Sequence, residues 1–139
     1  MTATIEAPST NPAGRFWLAS YPDGMAGDIA PLSHPSIGAL VESSCAQYAA
    51  RPAFTSMGKT LTFRDFDIAS KKIAAWLQAK GLEKGDRVAV MMPNILQNPV
   101  IIFGILRAGL VVVNVNPLYT PRELEHQLKD AGAKALFVL

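Results

Sequence analysis

The stretch that decides the fold is GDRVAVMMPNILQNPVIIFGILRAGLVVVNVNPLYTPRELEHQLKDAGAKALFVL, residues 85–139. Three apolar runs rich in β-branched residues alternate in it with two segments of helical period. The runs are Arg87–Met92, Leu110–Val115 and Ala135–Leu139. Short right-handed crossovers would make them parallel strands of one sheet. The stretch therefore predicts a layered βαβαβ arrangement of the α/β class.

The first helix of this stretch has signals at both ends. Asn98 can cap it, Pro99 can open it, and Gly109 stops it after Arg107. The run that follows, Leu110–Val115, is continuously apolar, as expected of a strand buried on both faces.

The second helix has a complete start signal. Thr120-Pro121-Arg122-Glu123 combines a cap, a first-turn proline and a capping-box glutamate. Leu124, Leu128 and Ala131 would face inward, and Gly132 would close the helix.

A helix, a short hairpin and a second helix precede this sheet. The first helix is predicted over Pro35–Ala50, with Cys45 on its apolar stripe as a buried small hydrophobe. Gly58 separates two short strands, Ala53–Met57 and Lys59–Phe63. Thr62 and Asp65 then open a helix that ends at Gly81. Its buried stripe is predicted to be Phe66, Ala69, Ile73, Trp76 and Leu77.

The chain divides into an irregular lead-in, residues 1–31, and one domain region, residues 32–139. The lead-in contains four prolines and three glycines, and Phe16, Trp17 and Tyr21 are expected to anchor it on the domain surface. Residues 1–11 lack the pattern of a secretory signal. The most apolar stretch, Val100–Val113, is shorter than the roughly 20 residues that span a bilayer.

Composition excludes several classes of function. The 13 basic and 11 acidic residues give a net charge of +2 without a basic block, so a nucleic-acid partner is not expected. The single cysteine, Cys45, excludes an internal disulfide and fits a reducing compartment. Half of the 139 residues are apolar and 17% are charged, which indicates that some apolar surface is covered by something outside this sequence.

The residues alone do not identify a reaction. The sequence contains neither GxGxxG nor GxxxxGK[ST], the two glycine-rich patterns of phosphate loops. Gly81–Gly85 is rich in glycine, but it precedes a strand instead of following one. His34 and His126 are interpreted as surface residues and are too far apart in sequence to suggest a metal site. Asn94, Asn114 and Asn116 fall near the carboxyl ends of the predicted strands, where they form turns or face a ligand.

Three segments resemble motifs of the adenylate-forming (AMP-binding) enzymes. Lys59–Phe66 resembles an early T-[YF]-x-[ED]-[LF] element, and Gly85–Asn94 is similar to a G-D-R-V-A-[VI]-x-x-P-N strand. Asn116–Gln127 is similar to N-P-x-Y-T-x-x-E-[LM]. Its residues most resemble those of the bacterial long-chain fatty acyl-CoA synthetases. Phe16-Trp17 and Tyr21-Pro22 also resemble the opening residues of those enzymes.

The resemblance implies an acid–thiol ligase that joins a fatty acid to AMP with Mg²⁺ and ATP, then transfers the acyl group to coenzyme A. It implies a cytoplasmic protein, with peripheral association with the inner membrane as a further option. The family's ATP loop, hinge and catalytic lysine have no counterpart here. The resemblance therefore assigns no catalytic, cofactor-binding or metal-binding residue, and the chain alone is expected to be inactive and to bind none of the three cofactors.

Several alternatives stay open. The final run, Leu136–Leu139, is not followed by a terminating residue. We therefore expect the chain to be the N-terminal part of the large AMP-binding domain. Its last strand would have an open edge, which favours self-association or a homodimer. Within the superfamily, a medium-chain or aryl acid ligase or an adenylation domain shares the same motifs. A different class is a free-standing, non-catalytic binding module.

Overall fold

The computed structural model describes residues 14–139. These residues separate into two compact units, of which the second runs from His34 to Leu139. The first unit contains a short 3₁₀ helix, Phe16–Ser20, in which the Phe16 ring packs edge-on against Trp17 with 5.5 Å between ring centroids. The start of the predicted lead-in, residues 1–13, lies outside the described residues, and the anchoring role of the aromatic residues stays a prediction.

The second unit has the predicted order of elements and is confirmed as α/β. Helix α1 and an antiparallel hairpin, β1–β2, precede helix α2 and a parallel sheet of strand order β4-β3-β5. The elements are α1 Ile37–Gln47, β1 Pro52–Ser56, β2 Lys59–Thr62, α2 Phe63–Ala79, β3 Arg87–Met91, α3 Gln97–Arg107, β4 Val111–Asn114, α4 Pro121–Ala131 and β5 Ala135–Val138. None of the helices within residues 14–139 is long and apolar enough to cross a bilayer.

The central strand β3 directs alternate side chains to opposite faces of the sheet. Val88 and Val90 point to one face, where α2 and α3 cover them and complete the main core. The fully or nearly fully buried members of that core are Leu77, Val88, Val90, Ile101, Ile105 and Leu110.

The other face of β3 carries Arg87, which holds helix α4. Its Nε donates to the carbonyl of Ala131 at 2.8 Å, and its Nη2 donates to the carbonyl of Gly132 at 3.1 Å. Both carbonyls belong to the C-terminal end of α4, where a cation is favoured by the helix dipole. Helix α4 therefore lies on the face of the sheet opposite to α3.

Helices α2 and α3 approach closely at Gly104. A Cβ atom at this position would lie 2.5 Å from Cγ2 of Ile73 and 3.1 Å from the backbone oxygen of Ser70. Ser70 is fully buried directly opposite. The small residue is thus required by the distance between the two helix backbones.

Arg107 joins the three N-terminal helices. Its side chain is only 5% exposed, and its Nη2 lies 2.6 Å from Asp67 of α2 while its Nη1 lies 3.0 Å from Glu42 of α1. Two carboxylates on one nearly buried guanidinium compensate the desolvation of the charge. The pairing fixes α1 and α3 against α2.

A further ion pair lies at the amino-terminal ends of strands β3 and β5. Asp86 accepts from Lys134 at 2.7 Å and from the backbone N–H of Glu83 at 2.9 Å. These two donors, Lys134 first, hold the pKa of the Asp86 carboxyl below its usual value.

The hairpin and both capping boxes are confirmed. Met57 and Gly58 have φ angles of 49° and 74°, as the two-residue turn between β1 and β2 requires. Thr62 and Asp65 cap α2 reciprocally, and Thr120 and Glu123 do the same for α4.

Three predicted details are wrong. Helix α3 begins at Gln97 with Leu96 at the cap position, so Asn98 lies inside the first turn. Its Nδ2 instead donates to the carbonyls of Met92 and Pro93, at 3.3 and 3.2 Å. Asn98 is therefore no cap, because its backbone is already helical, and its amide fixes the loop after β3 instead.

The other two errors concern burial. Strand β4 is not buried on both faces, since Val111 is 45% exposed; it is also an edge strand of the described sheet. Trp76 is 49% exposed, although its ring packs against Phe137 with 5.9 Å between centroids. It lies beside the edge strand β5, where Phe137 and Nζ of Lys80, 5.6 Å from the ring centroid, cover the ring only in part.

We predict that Gly104→Ala destabilises the chain by about 2 kcal/mol. Overpacking of about 3 kcal/mol exceeds the gain of about 1 kcal/mol from replacing a helical glycine. Gly38→Ala in α1 is the matched control, because its nearest neighbour, Oγ of Ser36, would lie 3.7 Å away. Urea denaturation followed by circular dichroism measures both variants. Equal urea midpoints for the two variants would show that the close contact at Gly104 does not penalise an added methyl group.

We predict a structural role for the cap of α4. Thr120→Ala should lower the free energy of unfolding by about 1 kcal/mol, because the hydroxyl that accepts from the Glu123 N–H is removed. Thr120→Ser retains that acceptor and is the control. Thermal unfolding compares the three proteins, and a Thr120→Ala protein that melts with wild type would contradict the assignment.

Candidate functional site

A cleft of about 600 Å³ lies at the carboxyl ends of β3 and β4. The chain leaves β3 toward α3 on one face of the sheet and leaves β4 toward α4 on the other. Adjacent strands whose connections diverge in this way form a switch point, the usual position of ligands in open α/β sheets. The hairpin β1–β2 forms the remaining wall.

The cleft is lined by residues from the hairpin, the two strands and the start of α3. None of them carries a charge. The lining residues are Phe54, Thr55, Ser56, Val90, Met92, Asn94, Ile95, Leu96, Asn98, Pro99, Ile102, Phe103, Asn114 and Val115.

The apolar walls are held by a chain of aromatic contacts. Phe54 of the hairpin and Phe103 of α3 both pack edge-on against Phe66 of α2, with centroid distances of 5.1 and 5.5 Å. Phe66 is 2% exposed and belongs to a second core cluster with Cys45 and Val100. Phe66 therefore fixes the distance between two walls of the cleft.

The polar residues connect the walls or surround the mouth. Oγ of Ser56 donates to the carbonyl of Asn94 at 3.5 Å, which links the hairpin to the loop after β3. The amide of Asn98 fixes the same loop. Asn94 and Asn114 are exposed at the mouth.

The structure separates the three asparagines for which a turn or a ligand role was left open. Asn94 and Asn114 both line the cleft. Asn116 forms a turn, since its Oδ1 accepts from the N–H of Leu118 at 3.0 Å.

Sequence reasoning missed Thr55, Ser56 and Asn98 as cleft residues. Asn98 has the sequence pattern of a cap, and no signal in the sequence indicates that the hairpin lies across the carboxyl ends of β3 and β4. The aromatic spacing of Phe54, Phe66 and Phe103 is the one feature that could have suggested it.

The cleft does not fit a magnesium nucleotide. A triphosphate needs cationic side chains or a glycine-rich loop, and Mg²⁺ prefers carboxylates. The lining offers neither kind of charge. Nor do residues 14–139 contain any group of three histidine, cysteine or acidic side chains that could hold a metal ion.

The titratable residues outside the cleft have structural roles. Cys45 is 4% exposed, and burial raises the pKa of its thiol, which confirms a buried residue instead of a reactive one. His126 is exposed on α4 beside Glu123. The hydroxyl and N–H of Thr120 lower the pKa of the Glu123 carboxyl.

Comparison with known proteins gives the family. The sequence profile of the AMP-binding enzymes matches residues 41–139. The chain belongs to the AMP-binding enzyme family.

Curated relatives of this AMP-binding chain include long-chain-fatty-acid–CoA ligases. It is 55% identical over 126 residues to the ligase of Escherichia coli O6:H1, which covers 90% of this chain and 22% of the relative. It is 43% identical over 123 residues to the ligase of Bacillus subtilis, which covers 88% and 22%. The chain thus spans about a fifth of the length of these relatives.

Solved structures confirm the fold. The crystal structure of VinN superposes with a TM-score of 0.73 at 27% identity and covers 80% of this chain and 29% of VinN. The N-terminal subdomain of Klebsiella oxytoca NpsA, in complex with 3-hydroxyanthranilyl-AMSN, superposes with a TM-score of 0.69 at 25% identity, covering 72% and 26%.

Proposed function

We propose that this chain is the N-terminal part of a long-chain fatty acid–CoA ligase. The observation that carries the proposal is the 55% identity to the E. coli ligase over 90% of the chain. The domain assignment follows: residues 32–139 would be the beginning of the AMP-binding domain and residues 1–31 its lead-in.

The proposed reaction of the whole enzyme has two steps. A fatty acid carboxylate attacks ATP and releases pyrophosphate to give an acyl-adenylate, and coenzyme A then displaces AMP to form the thioester. Mg²⁺ would stabilise charge on the phosphate oxygens. We assign no catalytic, cofactor-binding or metal-binding residue in this chain, whose contribution is a rigid sheet and an uncharged cleft.

A second candidate shares the first step but uses a different acceptor. The chain is 37% identical over 110 residues to ScoC of Streptomyces coeruleorubidus, a fatty acid–[acyl-carrier-protein] ligase; the match covers 77% of this chain and 21% of ScoC. The lower identity favours coenzyme A as the acceptor. Medium-chain and aryl acids remain alternative substrates, and a non-catalytic binding module remains the alternative outside the ligases.

We further infer a cytoplasmic location, with peripheral association with the inner membrane as a further option. Self-association is supported by the geometry of β5, which is an edge strand of the described sheet and carries Val138 at 59% exposure.

A chimera tests the proposed function. This chain would replace the matching 126 residues of the E. coli ligase. Formation of palmitoyl-CoA from palmitate, ATP and coenzyme A is expected at a rate close to that of the unaltered ligase. A second chimera carries the NpsA segment in the same place. It shows whether the E. coli ligase stays active with any segment of this fold. A folded chimera of this chain that forms no palmitoyl-CoA would reject the assignment.

We predict that the 139-residue chain alone releases no pyrophosphate from ATP and palmitate. The reason is the absence of charged residues from the cleft lining. A coupled pyrophosphate assay would compare the purified chain with a heat-denatured sample. Release above that control would contradict the prediction.

A further inference from the structure

The exposed face of helix α2 carries basic and apolar side chains in one row. At intervals of four residues, the spacing that makes side chains neighbours on a helix, it has Arg64, Ile68, Lys72, Trp76 and Lys80. All of them are exposed, Ile68 at 48% and Trp76 at 49%. Cations therefore alternate with half-exposed large apolar side chains over the length of the helix.

The acidic residues of α2 are engaged within the protein. Asp67 lies 2.6 Å from Nη2 of Arg107 and 2.7 Å from Nζ of Lys71. Asp65 accepts from the hydroxyl and the backbone N–H of Thr62 in the capping box, at 2.7 and 3.2 Å. Neither carboxylate is thus available to neutralise the cations of the exposed row.

Three cations of the row are left without a salt bridge. Within residues 14–139, neither Arg64 nor Lys72 nor Lys80 forms an ion pair. Nζ of Lys80 instead lies 5.6 Å from the centroid of the Trp76 ring, whose face attracts a cation. Positive charge and an aromatic ring are therefore held together at the C-terminal end of α2.

Helix α4, on the opposite face of the sheet, is different. Its basic residues Arg122 and Lys129 are exposed among the acidic Glu123, Glu125 and Asp130, and Lys129 lies 2.6 Å from Glu125. None of the large apolar side chains within Pro121–Ala131 is exposed. Unpaired cations beside exposed apolar side chains thus distinguish α2 from α4.

The chemistry of the α2 face matches an anionic lipid surface. Each lysine or arginine near such a surface contributes about 1 kcal/mol through the negative headgroups. Tryptophan favours the boundary between headgroups and acyl chains, where its ring is in an apolar layer and its N–H stays wet. A helix of 17 residues presents a convex surface about 25 Å long, which suits a fluid bilayer better than the rigid surface of an acidic protein.

We propose that the exposed face of α2 binds the surface of an anionic lipid bilayer, with Trp76 at the headgroup boundary and Lys72 and Lys80 beside the lipid phosphates. The proposal rests on the proposed function only in naming the inner membrane as that surface. The residues that make the contact all belong to this chain. Binding can therefore be measured on the 139-residue chain without any turnover.

The two tryptophans of the chain allow the contact to be located. Trp17→Phe leaves Trp76 as the only reporter. Its fluorescence should shift to the blue and be quenched by vesicles of equal parts of phosphatidylcholine and phosphatidylglycerol that carry bromine on the acyl chains. Vesicles of phosphatidylcholine alone should cause neither change, and added salt should reverse the binding because it screens exposed charges. Trp76→Phe retains only Trp17, which should be quenched little.

Paired charge variants separate the α2 face from the net charge of the chain. Lys72→Gln combined with Lys80→Gln should weaken binding to the anionic vesicles, measured by co-sedimentation, by about thirtyfold, the equivalent of about 1 kcal/mol for each cation. Arg122→Gln combined with Lys129→Gln removes the same charge from α4 and should bind nearly as wild type does. All four side chains are exposed, and urea denaturation checks that both variants fold.

Three outcomes would overturn the proposal. They are equal vesicle affinities of the two double variants, quenching of Trp17 without quenching of Trp76, and binding to soluble polyglutamate without binding to vesicles. The second would place the lipid contact on the lead-in, and the third would indicate an acidic protein as the partner. The chimera tests the ligase assignment separately through palmitoyl-CoA formation. An active chimera combined with any of these three results would reject the lipid surface alone.

Discussion

The close approach of α2 and α3 at Gly104 is the constraint on which the rest of the structure depends. Because no Cβ separates Gly104 from Ile73, the two helices form one layer over Val88 and Val90 of the central strand. The same short distance places Arg107, one turn after Gly104, within reach of Asp67 on α2. Close packing and a charge-assisted clamp therefore act at neighbouring turns of one interface.

That interface also determines the shape of the cleft. Phe66 extends from α2 toward both the hairpin and α3, so the position of α2 sets the separation between Phe54 and Phe103. On the opposite face of the sheet, Arg87 holds the end of α4. The connections after β3 and β4 are thereby directed to opposite sides, and the cleft opens between them. A switch point of this kind is a consequence of topology and needs no dedicated site residue.

Local signals in the sequence predicted most of the fold, whereas tertiary competition accounts for the errors. Thr62 and Thr120 were predicted as caps because a cap and its partner lie within three residues of each other. Asn98 satisfies the same local rule, but the helix begins one residue earlier and the Asn98 amide donates to the carbonyls of the preceding loop. Burial of Val111 and Trp76 depended on which strands lie at the edge, and the order β4-β3-β5 cannot be inferred from apolar runs alone. The sequence predicted the cleft only in part, through two asparagines at strand ends. Its third wall comes from a hairpin some 30 residues earlier in the chain, which no local signal connects to the sheet.

The neutrality of the cleft follows from where the charged residues are used. Arg107 and Asp67 clamp the helices, Asp86 and Lys134 close the amino-terminal edge of the sheet, and Arg87 caps α4. These groups all lie away from the carboxyl ends of β3 and β4. Only 17% of the residues are charged, and several of them hold the helices and strands together. The cleft is lined by side chains without charge. The carboxyl ends of β3 and β4 thus carry an uncharged cleft, whose lining combines apolar walls with the polar side chains of Thr55, Ser56 and Asn98.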